Sequence, residues 1–337
     1  MWKNFLLNSD AIFSGRERTS LSCVEELFCG LECVNADFWG SKEFKYHGSR
    51  ADIMPICSAD VPCLMVTGYM GNGFLSLINV GNLKASQLSG SLASAYGKKT
   101  VQGVLGIISN SLKKDRENLT GEDLCLDTGL SEEQLRSLVS IGDYVGIESA
   151  VTKISTNIAM GRACGIKACI CAMAYAASEL KGKSCASTAS FAVAARGENK
   201  NLGLQGVADT IMPKVAILVD AVPASSVKNE SDLKLGKGAA LVFGCGESSR
   251  LQKFAAETAR NRGIAFQSLV ENEERGEISL LQTSGDGIPV MRISIPVRYP
   301  KEAQELVDLR DIEFAGRLIA CVIEEMEQRG LEKILCY

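Results

Sequence analysis

A chain of 337 residues with 46% hydrophobic and 23% charged side chains has the composition of a globular protein, and it is too long for one small core. A net charge of −4 and an isoelectric point near 5.4 exclude the basic footprint of a nucleic-acid or membrane-surface binder. Two domains, or one large domain with an insertion, are expected.

The opening MWKNFLLNSDAIFSG carries one Lys and a three-residue apolar run, too little for a signal peptide. No stretch approaches the roughly 18 uninterrupted apolar residues that span a bilayer. A cytoplasmic protein is expected. Residues 16–34 read as a helix with Leu21, Val24, Leu27 and Phe28 on one face, and CLMVT (63–67) as a short buried strand. From about 70 to 155 the chain breaks into short apolar runs separated by Gly, Asn and Ser, the pattern of a small β-rich module. Within it, SEEQLRSLV (131–139) opens with a helix-start signal.

Beyond 155 strands and helices alternate. A small-residue helix ends at Gly182; TASFAVAA, VAILVDAV, AALVFG and VMRISIPV are continuous apolar runs, as expected of strands covered on both faces. SSRLQKFAAETARNRG has a Ser start and a Gly beyond its end. The last helix begins near Asp308, which reads as its cap, stripes Ile312, Ala315, Ile319, Val322 and Met326, and stops at Gly330. The architecture read from this pattern is an α/β domain interrupted by a β-rich insertion.

Thirteen cysteines include no C-x-x-C pair and no zinc spacing, so they read as reduced core thiols. The single histidine, His47, lies in a polar connection, which nearly excludes chemistry that needs imidazole. VFGCGES (242–248) lacks the third glycine of a dinucleotide cradle and the Gly-Lys-Ser/Thr of a P-loop, and reads as an ordinary strand-to-helix turn. Asp220 closes the run VAILVD, at a strand's carboxyl end where open α/β sheets place ligands; a carboxylate capping a turn is the competing reading. The turn NKNLGLQG (199–206) has the shape of a site but carries an ammonium and two amides.

The order of segments resembles, over roughly 320 residues, the tetrahedral-assembly metallo-aminopeptidases, a family also known as glutamyl aminopeptidases or endoglucanases. IFSGRE, GFLSLINVGN…LSG…VQGVLGI, DLCLDTGLSEEQ…SIGDYV, NLGLQGV…KVAILVDAVPA and ISIPVRYPKEAQELVDLRDIE carry the resemblance. It implies an α/β fold class with a peptidase-like mixed sheet flanked by helices, formed by 1–69 and 156–337, and a small β-barrel-like domain inserted at 70–155. It also implies homo-oligomeric assembly and hydrolysis by two dications such as zinc or cobalt roughly 3.5–4 Å apart, with a Glu general base.

Carried over residue by residue, that machinery is mostly absent. The family's first metal-binding histidine, in a His-Met-Asp run, falls at or beside Gly68, in a stretch shorter than usual where the alternative is that the position is deleted. The bridging aspartate meets Gly161, with Arg162 next; the general base meets Lys200, the metal-binding Glu meets Asn201, and the last histidine meets Lys301. Only Asp220 survives. The resemblance therefore implies a non-hydrolytic homologue that needs no cofactor. The alternative is an active aminopeptidase with an atypical metal site that draws on Asp220, Glu198 and Asp209; a third reading makes Lys200 a metal-free base or nucleophile. The replacements suggest that Arg162, Lys200 and Lys301 stand where the metals stood, neutralise Asp220 and leave excess positive charge. Such a pocket would bind a small anion or a peptide carboxylate.

Overall fold

The computed structural model describes residues 1–108, 118–148, 150–198, 200–225, 233–272 and 275–335. It opens with helix α1 (Trp2–Asn8), two single helical turns, α2 (Glu17–Ser20) and α3 (Ser22–Glu25), and a 3-10 turn (Glu26–Phe28). The continuous helix expected over 16–34 is thus broken, and its end, Glu32–Asn35, is strand β1. The apolar stripe itself holds: Leu21, Val24, Leu27 and Phe28 are buried. Gly30, at φ +93°, turns the chain into the strand.

Strands β2 (Lys42–Lys45) and β3 (Ile53–Ser58) lead into a closed six-stranded barrel. Its strands are β4 (Cys63–Gly71), β5 (Phe74–Val80), β6 (Leu92–Tyr96), β7 (Thr100–Ile107), β8 (Leu124–Asp127) and β9 (Tyr144–Ile147), in the order β4-β5-β8-β7-β6-β9. The run Cys63–Thr67 is therefore the first half of a barrel strand. Its side chains alternate, with Leu64 and Val66 facing an apolar barrel core that also holds Leu75, Leu77, Leu105, Leu126 and Val145. Helix α4 (Glu132–Leu138) plugs this module. Its Ser131 and Gln134 form a reciprocal capping box, as the start signal predicts.

The chain returns through β10 (Thr152–Lys153) and β11 (Ile158–Gly161) to helix α5 (Cys164–Leu180), then β12 (Ser190–Ala194), α6 (Leu202–Ile211), β13 (Val215–Pro223) and β14 (Ala239–Phe243). Helix α7 (Ser249–Asn261), β15 (Phe266–Val270), α8 (Gly276–Thr283), β16 (Val290–Arg298), β17 (Glu305–Asp308), α9 (Leu309–Arg329) and α10 (Leu331–Leu335) complete it. The eleven-stranded mixed sheet runs β1-β2-β12-β3-β13-β16-β17-β11-β10, with β14 and β15 branching from β16. Its middle, β12-β3-β13-β16, is parallel.

Helices cover both faces, which is why the central strands are apolar without alternation. On one face α1, α5, α7 and α9 form the larger core with Phe44, Ile217, Ile293 and Ile295. Helices α5 and α9 pack closely because Gly316 has no Cβ; one built there would lie 2.7 Å from the Ala172 carbonyl oxygen. On the other face α6 and α8 bury Leu204, Val207, Ile278 and Leu281 against Met54, Ile56, Leu218 and Val290. Among the described residues no helix is long and apolar enough to cross a membrane. The described cysteines are all free thiols, and His47 sits exposed in a turn.

Candidate functional site

A cavity of about 300 Å³ opens where the parallel strands end. Ser58 ends β3 and Asp60 follows it into the cavity, Gly197 and Glu198 follow β12, Asp220 comes from β13, and Arg162 precedes α5. This is the carboxyl edge of the sheet, where an α/β fold leaves strand tips free to meet a ligand.

Asp220 is held by groups other than those expected. In the parallel register it faces Ser294, and Leu218 faces Arg292. Because side chains alternate, Asp220, Arg292 and Ser294 share the α6/α8 face of the sheet. The Arg292 Nε and Nη2 atoms lie 2.9 and 2.8 Å from Asp220 Oδ2, and the Ser294 hydroxyl donates to Oδ1. Arg275 Nη1 stands 3.8 Å away. Arg292 is 0% exposed, and its Nη1 also reaches Glu271 at 2.7 Å and Glu247 at 3.4 Å. Burial opposes the charge on Arg292, yet Asp220 and Glu271 outweigh it and hold the guanidinium above its ordinary value. For Glu271 burial likewise works upward, but the hydrogen bond and charge of Arg292 pull its carboxyl below the usual range. Sequence reasoning missed Arg292. The available signal was a lone guanidinium inside the apolar run VMRISIPV, which must find buried carboxylates.

The position given to Gly68 also needs correction. Gly68 lies on the β4–β5 ladder of the barrel, where a Cβ would meet Ser76 Oγ at 3.0 Å, and it is not part of the cavity wall. The strand that ends in the cavity is β3, so Ser58-Ala59-Asp60 stands where the resemblance puts His-Met-Asp. A serine replaces the histidine and the aspartate is kept. Asp60, 1% exposed, accepts the Gly197 and Glu198 amides at 2.5 and 3.1 Å. Burial, helped by the neighbouring Glu17 charge, pushes its carboxyl up to about 6.

The expected cations are spread apart. Arg162, 4% exposed, donates through Nη2 to the Pro62 carbonyl at 2.9 Å, and burial lowers its pKa. Lys301 sits on the rim with Nζ 3.6 Å from Glu198, while its amide donates to Glu305 at 2.7 Å. Glu305 also accepts the Gly165 amide at 2.7 Å; its burial raises its pKa. Lys200 is exposed and takes no part in the cavity wall, Asn201 does, and Asn199 lies outside the described residues. Asp220 is therefore neutralised by Arg292 and Arg275, and not by the trio Arg162, Lys200 and Lys301. Nor is the charge excess positive: the wall carries Asp60, Glu198, Asp220, Glu277, Glu302 and Glu305 against Arg162, Arg275 and Lys301, six carboxylates to three cations.

The donor set does not fit two bridged dications. Both oxygens of Asp220 are engaged, and at Gly161 a Cβ would lie 2.7 Å from Val151 Cα, so the space for a bridging carboxylate is filled. Asp209 is exposed on α6 and stands outside the cavity wall, so the alternative set of Asp220, Glu198 and Asp209 is not assembled there. Among the described residues no cluster of three or more His, Cys, Asp or Glu could hold a metal ion. Backbone strain nevertheless concentrates here. Ala163, Arg196, Lys200, Asn201, Tyr299 and Lys301 all have φ between +55° and +65°, and each lines the cavity or adjoins a residue that does. Non-glycine residues in this region cost on the order of 1 kcal/mol each.

Residues 43–318 match the family described as M42 glutamyl aminopeptidase. The lysyl aminopeptidase of Pyrococcus furiosus is 25% identical over 307 residues, covering 87% of each chain. Among solved structures, aminopeptidase APDkam598 from the archaeon Desulfurococcus kamchatkensis superposes with a TM-score of 0.88 at 23% identity, covering 100% of this chain and 98% of its own. The Pyrococcus horikoshii TET1 peptidase, which can assemble into a tetrahedron or a large octahedral shell, gives 0.82 at 22% identity over 96% and 98%. At these identities the superpositions speak to the fold alone.

Proposed function

This chain belongs to the M42 glutamyl aminopeptidase family, and we propose that within it the chain is a metal-free, non-hydrolytic homologue that uses the old active-site cavity to bind a peptide. One observation carries the reading: both oxygens of Asp220, the acid at the family's metal position, already accept hydrogen bonds from within the fold, Oδ2 from Arg292 and Oδ1 from Ser294. Ligating a dication through Asp220 would compete with its pairing to Arg292, a buried guanidinium that Glu271 and Glu247 also hold in place. The groups at the other metal and base positions donate hydrogen bonds or are neutral: Lys301, Asn201, Lys200 and Ser58.

A cavity of about 300 Å³ remains, rimmed by strained residues. Its six carboxylates against three cations favour a ligand with an ammonium group over a bare anion, which replaces the small-anion reading. The protein is a cytoplasmic homo-oligomer in this proposal, on the pattern of the TET1 peptidase and in keeping with its free thiols.

Elemental analysis of the purified protein, with aminopeptidase assays before and after addition of zinc or cobalt, tests the proposal. Substoichiometric metal and no turnover in any condition are expected. Two tightly held dications per chain with peptide hydrolysis would overturn it.

A further inference from the structure

We infer that the cavity receives a small zwitterion, a free amino acid or short peptide whose carboxylate sits on Arg162 and whose ammonium sits on Glu277. The inference rests on the reading of the cavity as a metal-free binding site, and it comes from which charges there lack partners. Glu198 is engaged by Lys301 and by the Asn82 amide at 3.2 Å. Lys84 pairs with Glu302 at 3.3 Å, and backbone amides hold Asp60 and Glu305. Asp220 and Arg275 belong to the Arg292 cluster.

Among the described residues of the wall two charges remain, of opposite sign. Arg162 has five N–H donors and makes one hydrogen bond, to a neutral carbonyl. Its Nε is buried without a partner, and among the described residues no carboxylate lies within ion-pair distance of it. An almost fully buried guanidinium with idle donors is costly unless something completes its shell. Glu277, half-buried in the first turn of α8, has neither a hydrogen bond nor an ion pair to its carboxylate among the described residues. A monocarboxylate suits Arg162, which among the described wall residues is the one cation with no carboxylate partner. Val61, Ile166, Leu218 and Val219 line the same cavity and would receive an apolar side chain.

Calorimetric titration in the presence of EDTA decides, with leucine and leucyl-leucine compared with leucyl-leucine amide and N-acetyl-leucyl-leucine. Removing either charge from the ligand should weaken binding at least about tenfold. Glu277→Gln should abolish the preference for the free amine, and Arg162→Gln the preference for the free acid. Should Arg162→Gln not fold, the ligand series on the unaltered protein still decides. Tighter binding of leucine than of leucyl-leucine identifies a free amino acid as the ligand, and the reverse a peptide; both support the inference. Equal affinity for the amide or the acetylated peptide, or no binding of any zwitterion, would overturn it. Because EDTA is present, these outcomes are separate from metal-dependent turnover, which bears on the broader proposal.

Discussion

Arg292 organises the site. It is wholly buried, yet its guanidinium touches three carboxylates: Asp220, Glu247 and Glu271. Removing one partner from a buried charge network is far more damaging than replacing the network with apolar groups, because the others stay buried without compensation. Arg292→Met should therefore destabilise the protein by roughly 3–5 kcal/mol in denaturant unfolding, and pairing it with Asp220→Leu should recover part of that loss. Some of this was legible residue by residue. Asp220 could be placed on a strand from its apolar run alone, but the strand does not close there as expected: it runs on to Pro223, paired with β16. The turn after β12 could not be read: Arg196, Lys200 and Asn201 all adopt left-handed backbone, which carries Lys200 outward and Asn201 into the cavity wall. Periodicity says nothing about where a side chain points in such a turn.

Among elements, the start of α9 shows how local signals and tertiary contacts combine. Asp308 caps the helix by accepting the Arg310 amide at 2.9 Å, as its position in the sequence predicts. Three residues on, Asp311 reaches outside the helix and accepts the Gly236 and Gly238 amides, both at 2.7 Å. Burial pushes its carboxyl up to about 7 despite those bonds. In the unfolded chain it titrates near ~4, so between these values only the native state holds the proton. Stability from this group is greatest at the acidic end and falls as pH rises to about 7, levelling off above it. Asp60, at about 6, acts in the same direction. Thermal unfolding should thus show a higher midpoint near pH 5 than near pH 7.5, and Asp311→Asn should shrink that difference. The broken helix over 16–34 is the opposite case. Its apolar stripe was readable, but Glu32–Asn35 becomes a strand because β2 offers an open edge, a partner no local window contains.

At the scale of the whole molecule, the barrel presents apolar side chains outward. Leu92 and Val104, neighbours across the β6–β7 ladder, are 60% and 44% exposed. Adjacent exposed apolar residues on a rigid barrel suit contact with a second copy of the chain. If the homo-oligomer proposed above uses this face, replacing both with Asp should lower the mass seen in light scattering and leave the thermal midpoint within a few degrees. An unchanged mass would move the interface elsewhere. A β-rich insertion, the alternation of strands and helices after 155 and the two-sided helical cover of the sheet were present in the sequence as apolar periods and turn residues, because those signals act over a few residues. That the insertion is a barrel came from the resemblance, and that its first strand begins at Cys63 came only from the structure. Which charges meet was settled only by the tertiary structure. Asp220 and Arg292 lie 72 positions apart, and what joins them is the parallel register of β13 on β16, a long-range pairing that sets an arginine near the start of one strand beside a carboxylate in the second half of the other.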